Sequence, residues 1–171
     1  MILAVDVGYA QTTALAAGIL FKNWDSATYE RSVTVTVEEI APYESGCFYK
    51  RELPCILKLL ETLDEEINCI VIDGYVTLGA ERDGLGMKLW HSLAKKIPVI
   101  GVAKTCFKET PPAAELLRGK SLTPLYISAV GLELADAKSN IVQMKGDFRL
   151  PTLLKWTDQL SRGIPVCQAK S

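Results

Sequence analysis

The chain has little histidine, no paired cysteine motif and no long apolar run. Its one histidine, His91, stands beside Trp90 on a stretch of helical spacing, with no partner at metal-ligand distance in the sequence. The five cysteines, Cys47, Cys55, Cys69, Cys106 and Cys167, are odd in number and scattered, without a Cys-x-x-Cys pair. That argues against a structural zinc site and for reduced intracellular thiols. No apolar stretch approaches the length that spans a bilayer, and Asp6 and Gln11 interrupt the opening where a secretory signal would be continuous. The expectation is a soluble, cytoplasmic protein with no membrane association. Charge of one sign is lacking too: 19 Lys and Arg against 20 Asp and Glu give a net charge of -1, with neither an acidic tail nor a basic arm. Composition therefore lends nucleic-acid binding no support, since phosphate neutralisation supplies much of that affinity; a local basic groove stays compatible with it.

What is present is apolar. Nearly half of the 171 residues are hydrophobic (49%), enough for one sizeable core, and the reading is a single domain over residues 1–171. Residues 1–8 and 12–21 read as strands at hairpin spacing, with Gly8 to Gln11 as the connection. Residues 29–40 follow as a half-exposed strand, alternating polar and β-branched side chains over 32–37. After the punctuated segment 42–52, PYESGCFYKRE, a helix is expected over 53–63 with Pro54 in its first turn. Residues 68–73 (NCIVID) and 98–102 (PVIGV) have the continuous apolar character of buried parallel strands. Residues 84–96 read as the helix between them, 113–117 as a short helix, 125–130 as a last strand, and 135–144 and 153–160 as further helices. The sum is a mixed α/β sheet: three antiparallel strands followed by parallel strands, with helices on both faces.

Two of the buried strands end in a carboxylate. Asp6 lies within the run ILAVDVG and Asp73 closes NCIVID ahead of Gly74, and an unpaired buried carboxylate is costly. A strand-end aspartate ordinarily serves a turn or a helix cap. Two of them on parallel neighbours would instead emerge about 4.8 Å apart on one sheet edge. Their mutual repulsion calls for a cation between them. Mg²⁺ prefers such oxygen donors, and Glu52, at the start of the first helix, could supply a third. The proposal requires these acids to gather around one ion; a lysine or arginine filling that gap would count against it.

Four segments, AVDVGYA, PYESGCFYKRELP, VIDGYVTLGAERDGLG and IPVIGVAKT, in this order and at compatible spacing, resemble the endonuclease V family. The resemblance covers most of the chain. It implies a ribonuclease H-like fold and a Mg²⁺- or Mn²⁺-dependent endonuclease that cleaves DNA or RNA near a deaminated base such as inosine. It further implies that Asp6, Glu52 and Asp73 hold the metal and that Lys104 joins them at the catalytic centre. Tyr43 would wedge into the strand beside the lesion, with Gly46, Gly74 and Tyr75 contributing to the nucleic-acid contact.

The chain departs from that family where histidines are expected. Tyr75 stands in place of the first, Gly79 or Ala80 near the second, and Leu132 in place of a third, with Glu133 or Asp136 as nearby substitutes. The helical segment that family members carry ahead of the first strand has no counterpart. These departures predict weakened or altered turnover and leave open a nucleic-acid- or protein-binding module on the same fold. A third reading comes from Asp6 to Thr12, which looks like the DxGxxxT phosphate loop of actin-type and sugar-kinase ATPases, although those enzymes need two lobes.

Overall fold

In the computed structural model, residues 1–38, 49–79 and 82–168 are described; Tyr43 and Gly46 lie outside them. Seven strands form one sheet: β1 (Ile2–Ala10), β2 (Thr13–Phe21), β3 (Arg31–Val37), β4 (Cys69–Asp73), β5 (Val99–Ala103), β6 (Glu115–Leu116) and β7 (Leu125–Val130), in the order β3-β2-β1-β4-β5-β7-β6. The helices are α1 (Tyr49–Leu60), α2 (Leu85–Ser92), α3 (Leu134–Gln143) and α4 (Thr152–Ser161).

The first three strands form the expected antiparallel meander, and β1 pairs in parallel with β4, as β4 does with β5. The parallel half ends at β5, because β7 returns antiparallel to it. Where a short helix is expected at 113–117, a 3-10 turn at Pro112–Ala114 leads straight into β6, because Glu115 and Leu116 extend to pair with Tyr126 and Leu125 of β7.

Alternation along the strands sorts the core into two layers. Leu3, Val5 and Val7 pack with Ile56 and Leu59 of α1 and Leu89 of α2. Ile2 and Ala4 enter the opposite layer with Ala137 and Ile141 of α3 and Leu153 and Leu154 of α4. Central strands with both faces covered need the unbroken apolar character that β1, β2 and β4 show. Edge strand β3 buries only Val33, Val35 and Val37 on its α1 side, and its Ser32, Thr34 and Thr36 are exposed.

Two boundaries differ from expectation, each with a physical reason. The hairpin connection is Gln11–Thr12, since Gly8 pairs with Leu15 inside the ladder. At Gly8 the backbone of α4 comes so close that an added Cβ would lie 2.1 Å from the Ser161 carbonyl oxygen. The segment 6–12 is thus strand and tight turn. Helix α1 begins at Tyr49, so Pro54 is its sixth residue, not part of its first turn. A proline there forgoes one intrahelical bond, and the ring is turned to solvent. The earlier start brings Glu52 into the helix's first turn.

Candidate active site

The same alternation decides where the acids point. Asp6 is in phase with Ile2 and Ala4, and Asp73 with Cys69 and Val71, all of which face the α3 and α4 layer. Ile100 and Val102 carry that phase along β5, so Lys104, one residue past the strand, falls on the same face. The last paired residues of β1 and β4 are Val5 and Ile72, which makes Asp6 and Asp73 the next residue on each parallel neighbour. The pairing assumed from the sequence therefore holds.

Helix α4 delivers a third carboxylate onto this face. Ligand oxygens of Asp6, Asp73 and Asp158 lie within 4.8 Å of one another. Asp158 was missed in the sequence, yet it carried a signal. It follows Leu154 by one turn and precedes Ser161 by another, so it is an acid on the buried side of an amphipathic helix whose inward residues are Leu153, Leu154, Thr157 and Ser161. Between the carboxylates, Lys104 and Leu154 is a cavity of about 20 Å³, room for roughly one water-sized particle.

Each carboxylate is held. The Ser161 hydroxyl donates to Asp6 Oδ2 at 2.8 Å and the Val7 amide to Oδ1 at 2.9 Å. Lys104 Nζ donates to Asp73 Oδ2 at 2.5 Å and to Asp158 Oδ1 at 3.2 Å. The Arg162 guanidinium takes the other Asp158 oxygen. Lys104 therefore fills the gap between two of the three acids, in part the arrangement that would count against an ion. It does not fill the whole site: no hydrogen bond or ion pair of Lys104 with Asp6 is seen among the described residues. One ammonium and one guanidinium face three carboxylates.

Glu52 approaches from the α1 side, across the sheet edge, and is not a member of the 4.8 Å cluster. Its carboxyl is nonetheless pushed up to about 8, first by burial and then by the negative charge of Asp6 and Asp73, with Arg51 opposing. Burial also raises Asp73, against the pull of Lys104. Burial would lower Lys104, but the hydrogen bond and charge of Asp73, joined by Asp158, more than reverse it. An all-oxygen donor set with residual negative charge beside Glu52 fits a hard divalent cation, with the ammonium of Lys104 occupying one flank.

The surrounding loops fix Lys104 from outside. Its carbonyl accepts from Arg149 Nη1 at 3.1 Å, and Arg149 also bonds the Pro124 carbonyl at 3.3 Å. The Tyr75 hydroxyl donates to the Thr105 carbonyl at 2.8 Å and accepts from the Phe107 amide and the Thr110 hydroxyl, each at 3.2 Å. Gly74, between Asp73 and Tyr75, has φ +131°, a conformation open to glycine and strained for other residues. Tyr75 thus stands where the family resemblance expected a histidine, and its hydroxyl is spent on the 105–110 loop. Leu132 lies at the far rim of the sheet, lining a cleft with Ile2, Asn68 and Pro98. Glu133 and Asp136 are not members of the acidic cluster. His91 sits at the C-terminal turn of α2, edge-on to Trp90.

Known proteins resemble this chain in sequence and fold. The family model described as Endonuclease V matches residues 1–140. Among curated proteins, endonuclease V of Rippkaea orientalis is 28% identical over 182 residues, covering 94% of this chain and 78% of that protein. That of Pyrococcus horikoshii is 29% identical over 163 residues, covering 95% and 73%. Among solved structures, a Ciona intestinalis endonuclease V variant in complex with a 23mer DNA containing an inosine followed by a ribo-adenosine superposes with a TM-score of 0.80. It is 19% identical over 95% of this chain and 83% of that one. The fold is ribonuclease H-like, a mixed sheet with helices on both faces.

Proposed function

The chain belongs to the endonuclease V family, and on that premise we propose that it is a divalent-metal-dependent endonuclease hydrolysing a phosphodiester near a deaminated base, inosine above all, in DNA or RNA. The observation that carries this reading is the convergence of Asp6, Asp73 and Asp158 within 4.8 Å at the carboxyl ends of parallel strands, where ligands of open α/β sheets bind.

Asp6, Asp73 and Asp158, with Glu52 alongside, would hold Mg²⁺ or Mn²⁺. A bound ion would supply Lewis acidity toward a phosphoryl oxygen and a water of lowered pKa. The protein's own groups do the rest. Lys104 presents a charged donor beside Asp73 and can offset charge that develops on the phosphoryl group. Ser161 keeps Asp6 oriented, and Arg162 does the same for Asp158. Glu52, whose carboxyl is pushed up to about 8 by burial and by the charges of Asp6 and Asp73, can hold or release a proton facing them. Gly74 and Tyr75, and Tyr43 and Gly46 in the PYESG segment, are the proposed nucleic-acid contacts.

A second reading, a binding module without turnover, is favoured by one observation: Lys104 already neutralises Asp73 and Asp158. One assay separates the two. Inosine-containing single- and double-stranded DNA and RNA oligonucleotides are incubated with protein and Mg²⁺ or Mn²⁺. Cleavage by the wild type that Asp6→Asn, Asp73→Asn and Asp158→Asn each abolish supports the nuclease. Oligonucleotide binding without cleavage under either metal supports the module.

A further inference from the structure

One corner of the site rim departs from the rest of the molecule in both charge and exposure. Residues 117–124 and 144–155 carry Arg118, Lys120, Lys145, Arg149 and Lys155 against the single acid Asp147, within a chain whose net charge is -1. These segments also hold Leu117, Leu122 and Phe148, 62%, 95% and 73% exposed, three of the six exposed large hydrophobics among the described residues. Isolated exposed apolar residues are ordinary; three on two touching segments, set among lysines, are not.

The two segments are built onto Lys104. Tyr126 pairs with Ala103, so the turn at 117–124 ends on the rim from which Lys104 emerges, and Arg149 ties Lys104 and Pro124 together. Leu150 lines the cavity between the acids. Phe148 is not exposed through slackness. Its carbonyl accepts from the Arg118 guanidinium, which is 7% exposed and also caps the Ile141 and Met144 carbonyls at the end of α3. The backbone of Phe148 is thus tied to a buried guanidinium while its side chain stays exposed. Lys155 Nζ lies 5.7 Å from that ring, three residues before Asp158 on α4 and therefore on a neighbouring part of the same helix surface.

An outward ring with a cation beside it, next to a basic edge, matches the way proteins grip an unpaired nucleic-acid strand: a base stacks on the aromatic face while lysine takes the phosphate. We infer that Phe148 and Lys155 form a stacking station for an unpaired nucleotide of the substrate strand, alongside the acidic cluster. This rests on the nuclease reading and adds to it the side of the site along which the strand leaves. Because stacking is tolerant of base identity, the station contributes affinity for unpaired strand rather than recognition of inosine.

The test measures binding and cleavage separately. A fluorescein-labelled, single-stranded deoxyoligonucleotide containing one inosine is titrated with protein in Ca²⁺, read by anisotropy across a salt series; cleavage in Mg²⁺ is followed on gels. Phe148→Ala, which removes an exposed side chain and is checked for an unchanged melting curve, is expected to weaken binding roughly 5- to 100-fold. Phe148→Tyr should restore it. Lys155→Ala should flatten the dependence of log K on log salt by about 0.7. Wild-type affinity in Phe148→Ala, with cleavage intact, overturns the station and leaves the nuclease standing. A wild type that neither binds nor cuts any oligonucleotide overturns both. Concentration-dependent self-association that Phe148→Ala abolishes, with oligonucleotide affinity unchanged, also overturns it and assigns the patch to protein contact.

Discussion

The Ser161 hydroxyl donates to Asp6 Oδ2 at 2.8 Å, joining the last turn of α4 to the middle of β1. The same residue's carbonyl presses on Gly8, two positions beyond Asp6 on that strand. This double contact is what brings Asp158, three residues before Ser161 on α4, to the two strand-end acids.

Gly8→Ala should therefore do more than add a methyl group. An added Cβ would meet the Ser161 oxygen at 2.1 Å and its carbon at 2.7 Å, backbone atoms that move only if α4 moves. A loss of about 1–3 kcal/mol is expected, read as a lower urea midpoint, together with a drop in cleavage larger than the stability loss explains. A Gly8→Ala protein with unchanged midpoint and full activity would show that α4 can shift without cost.

Asp158→Asn should lower cleavage by at least about 100-fold, since even the groups that orient metal ligands are commonly worth 10- to 100-fold. The neutral amide should also lower Mg²⁺ affinity in isothermal titration. Wild-type affinity and rate in this variant would reduce Asp158 to a salt-bridge partner of Lys104 and Arg162.

Glu52 makes stability depend on pH in a stated direction. Its folded pKa of about 8 exceeds the 4.5 of a free glutamate carboxyl, so between those values the native state binds more protons than the unfolded chain. Stability is then greatest below about pH 4.5 as far as this group is concerned, and falls as pH rises to 8. Asp73, also raised, adds in the same sense. In EDTA the melting temperature should decline over this window. Glu52→Gln should flatten the decline, and Mg²⁺ should stabilise more at pH 8 than at pH 5; at a hundred times its Kd the whole stabilisation by the ion is about 2.7 kcal/mol. A metal-free melting temperature that rises from pH 5 to 8 would contradict the burial of Glu52 against Asp6 and Asp73.

Tyr75→Phe removes one hydroxyl that gathers three partners in the 105–110 loop. The Phe107 amide and the Thr105 carbonyl lose their bond to it, at about 1 kcal/mol for a typical hydrogen bond. Faster amide exchange confined to 105–110 is expected, with a several-fold fall in cleavage through Lys104. Exchange identical to wild type would show that Arg149 alone holds the Lys104 backbone.

Much of this was legible beforehand because it is local. Asp6 and Asp73 each end a run of consecutive apolar residues, so strand type follows from short-range pattern, while parallel pairing and the shared edge are settled by the sheet order. Lys104 comes from the family resemblance, through the segment IPVIGVAKT, and the fold puts it in phase with Ile100 and Val102. Glu52 was placed near the start of a helix, but Pro54 drew the predicted start too late; tertiary packing of Cys55, Ile56 and Leu59 outweighs one missing backbone bond.

Alternation of side chains along β1, β4 and β5 is a property of the extended backbone, so the sequence alone determines which residues within each strand share a face with Asp6, with Asp73 and with Lys104; that these strands are parallel neighbours, which puts the three on one side and one rim, is tertiary. Which helix covers that side, and so which distant acid completes the cluster, is determined only when α4 docks through Ser161 against Gly8. Such docking depends on the shape of two surfaces far apart in the chain, and no periodicity within either segment encodes it. The assignment of the one ammonium to Asp73 and Asp158 follows from the same docking, because a charge chooses partners by distance in space.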